Sequence, residues 1–182
     1  MRRRSFLRYA LELIVILGYL VLGVTIFTLI MQKDPPFAFD KIFIGSLVSA
    51  VGVLEFTDFI TWKYSIKIKN IQYFVGSMIA VALGIVFMTM KINAKTICYL
   101  WGAFSIFFSL IKISTGSISL FYQPLISSVR IVLAITRIVF SILLLARTLN
   151  ALSPFILCIG ISLVVEAVIL FVEFMIHRYQ RI

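Results

Sequence analysis

QPLISSVRIVLAITRIVFSILLLARTLNALSPFILCIGISLVVEAVILFVEFMI, residues Gln123–Ile176, holds two long apolar runs joined by a short connection, Thr148 to Pro154. Each run is long enough to cross a bilayer, since a helix rising about 1.5 Å per residue needs about 20 apolar residues to span ~30 Å. A basic residue, Arg137, lies inside the first run and an acidic one, Glu166, inside the second. Ionisable groups at that depth are costly, so each calls for a physical reason.

Working outward, similar runs recur at about 8–31, 41–62, 71–90, 95–112, 124–147 and 154–176. They predict an all-α polytopic membrane protein of six transmembrane helices. The expected organisation is a single integral membrane domain over 1–182, built as three antiparallel hairpin repeats at about 8–62, 71–112 and 124–176. A soluble chain could not hide 62% hydrophobic residues behind 13% charged ones. An outer-membrane barrel is excluded because the runs are continuously apolar and do not alternate. The connections are short, and Pro35-Pro36 ends the first run. The segment MRRRSFLRY resembles the start of a signal peptide. The run after it, Ala10 to Met31, is too long for one and lacks a small-residue cleavage site, so it is read as an uncleaved span.

The net charge of +10 falls beside the apolar runs, which points to membrane orientation and not to nucleic acid. Eleven Lys and Arg residues lie on the side of the termini, among them Arg2, Lys63, Lys112, Arg130 and Arg181, against five on the other side. That bias places both termini in the cytoplasm. Trp62, Tyr64, Tyr73, Tyr99, Trp101, Tyr122 and Tyr179 fall near run ends, where an interfacial aromatic belt would put them. Cys98 and Cys158 lack metal or redox spacing and read as packed free thiols, and His177 reads as an interface residue. No catalytic base, phosphate loop or metal motif is present, so no enzyme activity, cofactor or metal is expected. The expected partner is the lipid bilayer, with a homo-oligomer left open and the ligand unidentified.

A weak internal repeat runs through the even spans: VGVLEFTD at Val51–Asp58, WGAFSIFF at Trp101–Phe108 and IGISLVVE at Ile159–Glu166. The odd spans carry a looser echo in LGVTIF at Leu22–Phe27, LGIVFM at Leu83–Met88 and FSILLL at Phe140–Leu145. A small residue recurring at one point of a membrane helix suggests a recurring close contact. In the first hairpin Gly45 competes with Gly52 for the equivalent place. With YFVGSMIAVALGIVFM, LWGAFSIFFSLIKI, VRIVLAITRIVFSILLLA and IGISLVVEAVILF, the chain resembles the HdeD-type acid-resistance membrane proteins. The resemblance covers residues 70–176 best. It implies a bacterial inner-membrane protein that contributes to acid or envelope stress tolerance, and it brings no substrate or catalytic residue with it.

Two sets of charges are candidates for function. Arg137 and Glu166 lie roughly 13 and 15 Å from the cytoplasmic side by helical rise, which suggests an intramembrane charged pair. Such a pair either locks the register of one hairpin or lines a path for a solute or protons. Thr136, Ser141 and Ser162 are the hydroxyls at similar depth. Nearer the cytoplasm, Glu55 and Asp58 share one helix face and are candidate titrating carboxylates; Lys63 and Arg130 are near enough to neutralise them. Glu12, one turn after Arg8, and Glu173 complete the acidic set. A non-enzymatic stress role and a small-molecule or proton transporter, or a transporter's substrate-binding membrane subunit, are the two readings. A wet central cavity would favour the second, and a dry, fully paired core the first.

Overall fold

The computed structural model describes residues 2–31, 41–61, 71–121, 123–147 and 151–179. They form six helices: α1 (Arg2–Met31), α2 (Lys41–Thr61), α3 (Ile71–Thr89), α4 (Ala94–Ser119), α5 (Pro124–Arg147) and α6 (Leu152–Tyr179). No strand occurs among the described residues. Asn93 caps α4, its side chain accepting a hydrogen bond from the Lys95 amide. Pro124 opens α5, where its missing N–H leaves no helical bond unmade.

Four helices contain stretches long and apolar enough to cross a membrane: Tyr9–Met31, Ala94–Ser119, Pro124–Arg147 and Leu152–Ile176. A shorter apolar stretch, Phe74–Thr89, lies in α3. Large hydrophobic side chains such as Val21, Val53, Leu110, Val132 and Val168 face outward. Outward-facing apolar surface on several such helices is the mark of a multi-pass membrane protein. Helix α4 runs past the expected end at 112 to Ser119. Along this extra stretch the hydroxyls of Thr115, Ser117 and Ser119 bond to carbonyls of their own helix. Self-satisfied hydroxyls of this kind let polar residues continue a helix at the edge of the apolar zone.

The closest helix pairs are α2 with α3, α4 with α5, and α1 with α6. These cross the junctions between the expected hairpins, and the first and last helices close the set into a ring. Tyr9 meets Phe174 edge-on at 6.1 Å, so the start of α1 lies against the end of α6.

The three close pairs share one device. A Cβ on Gly23 would come within 2.9 Å of the Gly160 carbonyl oxygen. One on Gly45 would come within 2.6 Å of the Gly84 carbonyl oxygen, and one on Gly102 within 3.4 Å of the Ser141 carbonyl oxygen. The recurring words of the odd helices, at Gly23, Gly84 and Ser141, therefore mark crossing points against Gly160, Gly45 and Gly102. Gly45, not Gly52, holds the equivalent place in α2. Small residues at these points let the backbones approach closely, where van der Waals packing is the main attraction available in lipid. Gly52 packs separately against Ala80 and Val81 of α3.

Candidate functional site

The buried charges separate into two clusters. Arg130 of α5 reaches across to α6, where its Nε donates to Glu166 Oε1 at 3.2 Å. Its Nη1 and Nη2 donate to the two oxygens of Glu173 at 3.0 and 3.3 Å. Glu166 and Glu173 are seven residues apart, two helical turns on one face, and a single guanidinium spans them. In the second cluster Lys112 of α4 donates to Glu55 of α2 at 2.6 Å. Glu55 is only 2% exposed. Lys112 also lies over the Phe108 ring, 5.4 Å from its centre, a favourable cation–π distance.

Glu166 thus takes Arg130, and among the described residues no ion pair joins Arg137 to Glu166. The reason lies in register and reach. Counted back from the end of α5 at Arg147 and forward from the start of α6 at Leu152, Glu166 falls opposite a point between Arg130 and Arg137. Arg130 can hold Glu166 and Glu173 at once, whereas Arg137 lies on the far side of Glu166 from Glu173. The spacing points the other way: Arg130 and Arg137 are seven residues apart, as are Glu166 and Glu173. On antiparallel helices that would match Arg130 with Glu173 and Arg137 with Glu166, and among the described residues only the first of these pairs forms. Glu55 takes Lys112, a lysine not singled out in the sequence. The side chains of Asp58 and Lys63 lie outside those described, as does that of Arg8, so the Glu55–Asp58 and Arg8–Glu12 relationships do too. Glu12 is itself buried.

Arg137 stands apart from both clusters. It lies thirteen residues after Pro124 and ten before Arg147, near the middle of α5, and is 7% exposed. Its buried Nε has no hydrogen-bond partner. Its guanidinium makes no ion pair or hydrogen bond with any described residue. On insertion scales a lone arginine at mid-helix costs about 2.5–3.5 kcal/mol.

Arg137 lines a central cavity of about 30 Å³, together with Glu55, Trp101, Phe104, Ser105 and Phe108 among others. That volume gives room for one or two water-sized groups. Ser105, 5% exposed, makes no hydrogen bond with any described residue, unlike most serines and threonines of these helices. Trp101 was expected in an interfacial belt. It is instead buried, edge-on to Phe155 of α6 at 4.9 Å, and forms part of the cavity wall. Tyr99 is exposed near the start of α4, while the side chains of Trp62, Tyr64, Tyr73, Tyr122 and Tyr179 lie outside those described.

In α4 the buried Ser109 hydroxyl also makes no hydrogen bond among the described residues, whereas the mid-helix hydroxyls of α5 and α6 are spent locally. Thr136, Ser141 and Ser162 each donate to the carbonyl four residues earlier, so none of them has a proton to offer Glu166. Cys98 and Cys158 are buried free thiols, in keeping with their expected packing role.

The Arg130 and Lys112 clusters can hold helices in register. Arg137 and Ser105, by contrast, present unspent donors to one small space. No protein family, curated protein or solved structure matches this chain.

Proposed function

We propose that this chain is a non-enzymatic, six-span membrane protein of a bacterial inner membrane that binds a small solute in its central cavity, as a transporter or a transporter's binding subunit. Both termini are cytoplasmic on the positive-charge bias. The observation that carries this reading is Arg137, a buried cation on the wall of a cavity, its Nε without a hydrogen-bond partner among the described residues. A protein that needed charges only for assembly would pair each of them, as Arg130 and Lys112 are paired. The reading calls for a single site near the bundle axis, reached from water when the bundle opens.

The stress-tolerance role implied by the HdeD-type resemblance is the second reading. It draws support from the recurrence of small-residue crossings in three helix pairs. A protein devoted to it would need Arg137 only as a packing element.

Thiol accessibility tests the solute-binding reading. In a Cys98→Ser, Cys158→Ser background, Ser105→Cys in membrane vesicles should react with an anionic thiosulfonate reagent from one side of the membrane. It should react much faster than the outward-facing control Val132→Cys. Equal, slow reaction of the two would count against any water-accessible solute site.

A further inference from the structure

We propose that the cavity beside Arg137 is a binding site for one small, weakly hydrated monovalent anion of the size of chloride, bromide or nitrate; this names the ligand class of the solute site proposed above and rests on that reading.

Three observations set the class. The first is charge. Of the described residues that line the cavity, Arg137 is a cation and Glu55 an anion, and Glu55 is already held by Lys112 from outside the lining. With Glu55 held by Lys112, the charge left to balance among the described residues is the Arg137 guanidinium, whose Nε has no hydrogen-bond partner there. A single negative charge balances it.

The second is size. A cavity of about 30 Å³ admits an ion comparable with one or two waters. It is too small to enclose a phosphoester, an amino acid or a lipid headgroup.

The third is the mix of donors and apolar wall. Arg137 Nε is a buried donor with nothing to bond, and Ser105 offers a hydroxyl from the neighbouring helix α4. Around them stand Trp101, Phe104 and Phe108, whose ring edges carry partial positive charge. Few donors and much apolar wall disfavour an ion that holds its water strongly, because the lost hydration is not replaced. Bromide and nitrate lose their water at least cost, so they should bind more tightly than chloride, and chloride more tightly than fluoride. The competing occupant is water bridging Arg137 to Glu55, which predicts no preference among anions.

The test is thermal unfolding of the purified full-length chain in detergent at constant ionic strength. Sodium gluconate, whose anion is too large for the cavity, is exchanged stepwise for sodium chloride, bromide or nitrate. Binding predicts a saturable rise in Tm with the small anions, in the order nitrate and bromide above chloride. The rise should vanish in Arg137→Met. In Ser105→Ala the apparent affinity should fall about ten-fold, the loss expected for one hydrogen bond to a charged group. No difference between gluconate and the small anions, or a saturable rise unchanged in Arg137→Met, overturns the proposal. Should Arg137→Met fail to fold, an apparent affinity unaltered by Ser105→Ala overturns it alone. A reactive Ser105→Cys combined with no anion response would remove the anion and leave the solute site; an unreactive Ser105→Cys would remove both.

Discussion

Arg130 and Glu173 meet through two parallel hydrogen bonds, 3.0 and 3.3 Å long, between the first turns of α5 and the last turns of α6. Glu173 is 1% exposed, so its carboxylate relies on protein partners and not on water. The same guanidinium also holds Glu166, which makes Arg130 the hub of three charges on two helices. Removing one partner of such a buried set leaves the others uncompensated.

Arg130→Met should therefore destabilise the protein by about 3–5 kcal/mol, the usual cost of breaking a buried ion pair from one side. Unfolding in detergent, followed by loss of helical signal, measures it. The double change Arg130→Met, Glu173→Met should recover part of the loss, because no orphaned carboxylate remains at that position. A double variant as unstable as the sum of the two singles would show that these groups act independently.

Lys112→Met leaves Glu55 without its 2.6 Å partner at 2% exposure. A loss of about 2–4 kcal/mol is expected, again read from unfolding. Glu55→Gln should cost less, since the amide oxygen still accepts from Lys112, which is itself part-exposed. Equal losses from the two changes would argue against this contact.

The glycine crossings predict a ranking. Gly45→Ala places a Cβ 2.6 Å from the Gly84 carbonyl oxygen, a backbone atom that cannot turn aside. Overpacking of this kind costs about 1–3 kcal/mol. At Gly102 the nearest atoms, at 3.1 Å, belong to the flexible Leu145 side chain. There the better helix propensity of alanine, worth up to about 1 kcal/mol, offsets the crowding, and Gly102→Ala should be near neutral. Folded yield and Tm of the two variants decide the order.

Closure of the ring is tested by cross-linking. In the cysteine-free background, Tyr9→Cys and Phe174→Cys should be joined by a short bifunctional thiol reagent, because the native rings sit 6.1 Å apart. Failure to cross-link would contradict the packing of α1 on α6.

What the sequence reveals here follows from what is local. Apolar length predicts the helices, because a backbone in lipid must bond to itself. The recurring small residues at Gly23, Gly84 and Ser141 mark real crossing points, since close approach demands a small side chain wherever it occurs. Which helices cross there is a non-local fact. Nothing between residues 31 and 152 indicates that α1 will lie on α6, and chain order favours neighbours instead.

The charges divide in the same way. Depth along the helix brings Arg137 and Glu166 to similar levels, yet the pairing is decided by side-chain direction and by a competing arginine two turns away. Lys112 was legible only as an interfacial charge, because its partner lies on a helix more than fifty residues earlier. Trp101 reads as interfacial by its place in α4, but its ring turns inward against Phe155. The cavity has no signature in the sequence at all. It is the space left where helices from different parts of the chain fail to fill the centre.

The central claim is that Arg137 serves a ligand and not the fold. Its most direct test compares the unfolding of Arg137→Met with that of Arg130→Met and of the unaltered chain, all in gluconate. The account predicts that Arg137→Met is as stable as the unaltered protein, or more so, since a buried cation with no ion pair among the described residues has been replaced by an apolar side chain of similar length. Arg130→Met should be markedly less stable. A loss in Arg137→Met as large as that in Arg130→Met would contradict the account and make Arg137 a structural charge.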